Sequence, residues 1–182
     1  MHNKTQKAVA IATAFCVLRV FMLTYSIYKF NNFTINRIMA LYRLIYVSQA
    51  IAGLEYPDFI EISQKSEFNN KKVGITGMLS FGDSMFLQVL EGSRRTVSQT
   101  YNRILLDKRH VNAELIDFSE IEHRSFSVWS MKVVQITNQS EVRDIILKYS
   151  SSDVFSPISM TGEQSLNFLF ELTELYKKGA MG

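Results

Sequence analysis

From Leu41 onward the sequence predicts an α+β fold: a ferredoxin-like βαββαββ sandwich with two helices on one face of the sheet and two further C-terminal helices. Three observations carry this. Apolar residues alternate along several short runs, the period of half-buried strands. Two intervening stretches carry apolar stripes at helical spacing. One Gly-Asp-Ser cluster separates two of the alternating runs, a hairpin signal.

The elements follow in order. Leu41–Val47 reads as a strand, with Tyr42, Leu44 and Tyr46 on one face and Leu41, Arg43, Ile45 and Val47 on the other. Pro57 suits the first turn of a helix that runs to about Phe68, with Phe59, Ile62 and Ser66 on one stripe. Asn69-Asn70-Lys71-Lys72 is expected to end it. Val73–Phe81 and Met85–Glu91 read as strands joined through Gly82-Asp83-Ser84. Ser93 can cap a helix over about 94–108 with Val97, Tyr101, Ile104 and Leu105 apolar. Glu114–Ile121 and Ser127–Ile136 read as strands. Helices follow at about 140–149 and 162–177, with Pro157 between them. The last is amphipathic and must cover either the exposed sheet face or another subunit.

Composition narrows the function. The 182 residues hold 47% hydrophobic and 20% charged side chains, a globular balance. The net charge of +3 is unevenly spread: residues 1–38 hold five bases and no acid, and the remainder holds 15 bases against 17 acids. The body therefore lacks a nucleic-acid footprint. One cysteine, Cys16, and three scattered histidines exclude a disulfide framework and a multi-cysteine metal site. No phosphate-binding glycine loop, dinucleotide fingerprint or nucleophile elbow is present.

Three domains of organisation are expected: a basic, apolar extension over 1–38, a core domain over 39–135, and a helical cap over 136–182. Residues 8–28 are long enough for a membrane span of about 20 residues, although Arg19 near the centre costs roughly 2.5–3.5 kcal/mol. A membrane anchor, a peripheral amphipathic segment, and upstream sequence translated from a start placed ahead of Met39 are the open readings. The expected location is cytoplasmic, with anchoring through residues 8–28 as the alternative.

Several residues break the apolar pattern. Gln88 sits between Phe86 and Leu90 on one strand face, where an unpartnered amide is costly. It is either a core amide bonded to backbone or an amide facing a polar ligand edge. Tyr46 and the Trp129/Met131 pair read by default as packing residues. Asn69 and Asn70 read as helix-end chemistry. Arg103 and Asp107, spaced i, i+4, read as a surface ion pair.

The segments LYRLIYVSQA, NNKKVGITGML, MFLQVLEG, YNRILLDKRH and FSVWSM, in this order and spacing, resemble a BLUF domain, the blue-light sensors that bind FAD, over about residues 40–135. The short build is similar to the small PixD-type members, whose output is carried by a separate protein. The resemblance implies that Tyr46 gives an electron and a proton to the excited flavin. It implies that Gln88 lies between Tyr46 and the N5/C4=O edge and changes its hydrogen bond by rotation or tautomerisation. Asn70 is then expected at C4=O and N3, with Asn69 and Ser66 near the ring and ribityl chain. Ile62 and Ile104 would flank the ring. Arg103 and Asp107 would face the ribityl and phosphate portion, and Arg109 and His110 the pyrophosphate or the pyrimidine edge. Trp129 and Met131 would belong to the strand that relays the change.

The resemblance further implies a non-enzymatic photoreceptor and a homo-oligomer. Its partner would be a separate response-regulator-like protein or transcription regulator. Phe68 departs from the polar or basic residue expected near the cofactor phosphates. A flavin-dependent oxidoreductase and a light-insensitive binding module on the same fold are the rival readings.

Overall fold

The computed structural model describes residues 40–126, 132–137 and 139–179, with Met22, Ser26 and Lys29 of the preceding segment. The chain divides into two units, Met1–Met39 and Ala40–Gly182. The apolar run over 8–28 lies almost wholly outside the described residues. Among the described residues, no helix is long and apolar enough to cross a membrane.

The second unit runs β1 (Leu41–Ala50), α1 (Tyr56–Val73), β2 (Thr76–Gly82), β3 (Met85–Ser93), α2 (Arg94–Ile104), β4 (His110–Ile121), β5 (Lys132–Gln135), α3 (Ser140–Tyr149), a 3-10 turn at Pro157–Ser159, and α4 (Gly162–Gly179). The sheet order is β4-β1-β3-β2-β5. β3 lies between β1 and β2 and is antiparallel to both, the split βαβ arrangement of the ferredoxin-like sandwich. β5 adds to the far edge, parallel to β2.

Local chemistry sets the boundaries. Pro57 stands in the first turn of α1, and the Glu55 backbone N–H donates to Asp58 Oδ2 at 2.8 Å. The Asn-Asn-Lys-Lys run does not end α1: the helix continues through it to Val73 and stops at Gly74, whose φ of 68° favours glycine. β2 accordingly begins at Thr76, three residues later than its apolar run. Asp83 and Ser84 have φ of 45° and 60° and make a two-residue loop of the primed type that matches strand twist. Ser93 Oγ accepts from the Thr96 backbone N–H at 3.2 Å, capping α2. That helix ends at Ile104 rather than at 108. Gly77 cannot carry a side chain, because a Cβ there would lie 2.0 Å from the Val89 carbonyl oxygen.

Two apolar clusters fill the two faces of the sheet. Leu44, Tyr46, Leu79, Phe86 and Leu90 face α1 and α2, where Phe59 and Val97 meet them. Ile45, Val47, Met78, Leu87 and Val89 face the other way, against α3 and α4. The amphipathic C-terminal helix thus covers the sheet face, burying Phe168, Leu169 and Leu172 completely. Burying each such side chain contributes roughly 1.5–3 kcal/mol. The β1 alternation therefore sorts side chains between two cores, and the first of these faces carries the site.

Candidate functional site

β1 pairs with β3 so that Tyr46 stands directly opposite Gln88. Both side chains are buried, at 3% and 4% exposure. The Tyr46 hydroxyl donates a hydrogen bond to Gln88 Oε1. That bond fixes the carbonyl end of the amide toward the tyrosine and the NH2 end away from it. The Tyr46 ring lies 5.1 Å from that of Tyr101, tilted by 56°. Burial, with Tyr101 and Asp107 nearby, pushes the Tyr46 hydroxyl far above the ordinary phenol range. It remains a neutral donor at any physiological pH.

This shift has a stability consequence. The folded protein holds the Tyr46 proton where the unfolded chain releases it near pH ~10. The unfolded state then binds fewer protons, so stability falls as pH rises above that value. Urea unfolding of the wild type is expected to lose stability on going from neutral pH to above about pH 10, and Tyr46→Phe to lose less. Equal losses would contradict this assignment.

α1 presents Ile62, Ser66 and Asn70 along one stripe, continuing from buried Phe59. Asn70, at 4% exposure, belongs to the helix face because α1 runs past it. Its backbone carbonyl accepts from Ile75 N–H at 3.0 Å, which fixes the exit from α1. α2 supplies Thr100, Arg103 and Ile104 from the opposite wall.

The chain after α2 closes one end. Arg109 Nε donates to Asp107 Oδ1 at 2.9 Å, and the Arg109 backbone N–H to the same oxygen at 3.0 Å. The Arg109 hydrogen bond holds the Asp107 carboxyl below its usual range, against the opposing effect of partial burial. The expected Arg103–Asp107 pair does not form its i, i+4 geometry, because α2 stops at Ile104; Arg103 reaches Thr100 Oγ1 at 3.5 Å instead. His110 Nε2 lies 2.8 Å from the Ile104 carbonyl oxygen. A carbonyl only accepts, so Nε2 carries a proton.

These residues line two adjoining cavities. The first is walled by Ile62, Leu79, Phe86 and Ile104, and edged by Tyr46, Ser48, Ser66, Gln88, Asp107, Arg109 and His110. The second adds Lys65, Asn69, Asn70, Thr100 and Arg103. Both touch Ser66, Gln88, Ile104, Asp107 and Arg109, so they form one cleft between α1 and α2.

The cleft suits a flat, mostly apolar ring with one polar edge and an anionic tail. Its walls are apolar, and Gln88 and Asn70 stand at the polar side. Two buried atoms lining the first cavity, Ser48 Oγ and His110 Nδ1, have no protein partner. Such atoms call for a ligand or solvent partner. Lys65 and Arg103 give the second cavity positive charge for phosphates. FAD meets each of these requirements. Among the described residues, no group of three or more His, Cys, Asp or Glu is placed to hold a metal ion.

Tyr46, Ile62, Ser66, Asn69, Asn70, Gln88, Arg103, Ile104, Asp107, Arg109 and His110, the residues that the family resemblance placed toward a cofactor, all line this cleft. Trp129 and Met131 lie outside the described residues. Ser48, Leu79, Phe86, Lys65 and Thr100 also line the cleft and were not anticipated. The strand period could have found Ser48 and Phe86, each two residues from Tyr46 or Gln88 on the same face. Thr100 lies one helical turn before Arg103. Phe68 points elsewhere: it is 63% exposed, with Lys72 Nζ 3.7 Å above its ring.

Residues 41–132 match the family described as sensors of blue light using FAD. The photoactivated adenylate cyclase subunit beta of Euglena longa is 25% identical over 122 residues, covering 64% of this chain and 14% of that protein. This chain therefore spans only a small part of that relative. Among solved structures, BlsA in its photo-activated state is similar with a TM-score of 0.66 at 30% identity, covering 72% of this chain and 94% of that one. BlrB, a BLUF protein in its dark state, gives a TM-score of 0.62 at 25% identity, covering 75% and 96%. With the matched segment spanning the whole Tyr46–Gln88 cleft and the strand order that builds it, the chain belongs to the BLUF family of blue-light sensors that use FAD.

Proposed function

We propose that Tyr46 and Gln88 are the photoactive pair of this sensor, and that the chain signals by a change of hydrogen bonding rather than by catalysis. The observation that supports this most is the buried bond from the Tyr46 hydroxyl to Gln88 Oε1, at the cleft that fits FAD. Bound FAD supplies blue-light absorption and, once excited, an acceptor for one electron and one proton. Tyr46 is the donor, being buried, neutral and hydrogen-bonded, and it takes both the electron and the proton back on charge recombination, so that no net redox change remains. Gln88 is the switch, because only an amide carries both a donor and an acceptor end to exchange. With its ends exchanged, Gln88 presents NH2 to Tyr46, and the hydroxyl must accept rather than donate.

The other residues hold the cofactor. Ile62 and Ile104 flank the ring from the two helices. Asn70 bonds its carbonyl and imide edge, with Asn69 and Ser66 alongside. Arg103 and Asp107 meet the ribityl and phosphate portion. Arg109 and His110 meet the pyrophosphate or the pyrimidine edge. Trp129 and Met131 relay the change. Output passes to a separate signalling protein of response-regulator or transcription-regulator type, from a homo-oligomer, in the cytoplasm. The photoactivated cyclase relative, of which this chain matches 14%, supports a sensor whose output lies outside the matched segment.

Tyr46→Phe removes the hydroxyl and keeps the ring. The variant is expected to retain FAD and to lose the light-induced red shift of its absorption. A normal photocycle would contradict the assignment and make Tyr101 or Trp129 the donor.

A further inference from the structure

A second buried polar cluster lies on the sheet face away from the cleft. Glu91 follows Gln88 by three residues on β3, so the two side chains point to opposite faces. Glu91 is 0% exposed. Its carboxylate accepts from Arg43 Nη2 at 2.8 Å, from the Ser125 backbone N–H at 2.9 Å and from the Phe126 backbone N–H at 3.0 Å. The neighbouring Arg124 guanidinium donates to Thr76 Oγ1 at 2.8 Å, the Glu91 carbonyl at 2.5 Å and the Gly74 carbonyl at 2.7 Å. Gly74 terminates α1, the helix that carries Asn70. Phe126 is itself fully buried and stacks on Phe170 of α4, with ring centroids 5.1 Å apart and planes at 15°.

Three consecutive residues, 124–126, thus hold the strand of Gln88, the end of the helix of Asn70, and the C-terminal helix. The chemistry of the grip matters. A buried carboxylate is a costly way to fasten a loop, and apolar packing often does it as well. Charge-assisted hydrogen bonds differ from apolar packing in being directional and short. An apolar contact slides when a strand shifts; a carboxylate bonded through both oxygens moves with its donors or breaks from them.

We propose that residues 124–126 are a clasp that carries a change at Gln88 to α4, with the Glu91 carboxylate as its latch. This rests on the reading of Gln88 as the photoactive amide. Glu91 and Phe170 are positioning residues: neither lines the cleft.

The test uses the FAD-loaded full chain, with absorption spectra and amide hydrogen exchange of residues 162–179 recorded in the dark and under blue light. The wild type is expected to show a red shift together with a light-dependent change in α4 exchange. Glu91→Gln keeps the shape and removes the charge, and Phe170→Leu removes the stack at a partly exposed position. Both are expected to keep the red shift, while the light-minus-dark difference in α4 exchange, each variant compared with its own dark state, falls by at least about five-fold. Tyr176→Phe is the control, since the Tyr176 hydroxyl donates to the Gln135 carbonyl at 2.5 Å and links α4 to β5 independently. An undiminished α4 response in Glu91→Gln and Phe170→Leu would overturn the clasp, as would its loss in Tyr176→Phe alone. A wild type that shifts in absorption without any α4 response would overturn it too. A wild type with no red shift would instead remove the underlying reading of Gln88.

Discussion

Gln88→Leu is expected to retain FAD and to show no light-induced red shift. Leucine has a similar volume and fits the surroundings: Phe86 and Leu90 flank the position along β3, and Leu79 pairs with it from β2. The apolar walls of the cleft are therefore kept, and so is the cofactor. What disappears is the amide. Tyr46 loses its acceptor, and an unsatisfied buried hydroxyl costs about 1–3 kcal/mol, partly offset by the added apolar burial. No group then remains at that position to exchange a donor for an acceptor. Flavin content and the light-minus-dark spectrum are read on the same sample. An intact red shift would show that the switch lies elsewhere.

The largest stability effect is expected at Glu91. Glu91→Ala removes an acceptor that serves Arg43 and two backbone N–H groups at once. The Arg43 side chain is only 13% exposed, so its charge is left largely buried and unpaired. Breaking a buried pair from one side costs about 3–5 kcal/mol, against a total stability of about 5–15 kcal/mol for a typical domain. The urea midpoint of Glu91→Ala is expected to fall accordingly. Replacing both partners, as in Arg43→Met with Glu91→Leu, is expected to recover only part of the loss: the orphaned charge is gone, but the Ser125 and Phe126 N–H groups still lack their acceptor. A loss below about 1 kcal/mol for Glu91→Ala would place the pair with exposed ion pairs.

The site was more legible in the sequence than its supports were. Gln88 stood out because period-2 alternation put an amide between Phe86 and Leu90; Tyr46 read as a packing residue until the family resemblance singled it out, and the pairing of β1 with β3 sets the two opposite each other. Phe59, Ile62 and Ser66 gave the inner stripe of α1. The same stripe extends to Asn70, but the asparagine pair carries strong turn propensity and was read as a helix end. Helical hydrogen bonding and the left-handed cap at Gly74 overrode that local preference. α2 erred the other way: its apolar spacing continued to Leu105 while the backbone turned after Ile104, so Asp107 pairs with Arg109 and not with Arg103.

Long-range pairing was the least visible. Nothing local to Lys132–Gln135 says that β5 joins β2 at the edge opposite β4. The Glu91 cluster was hidden for a similar reason. A glutamate near a strand end reads as solvated, and its donors at 125 and 126 lie more than thirty residues away.

The measurement that bears most directly on the whole account is the absorption spectrum of the purified full chain, taken in the dark and during blue illumination. The account predicts a flavin spectrum that shifts slightly to the red without bleaching and returns in the dark. A flavin that bleaches on illumination, or protein that carries no flavin when FAD is supplied, would contradict it.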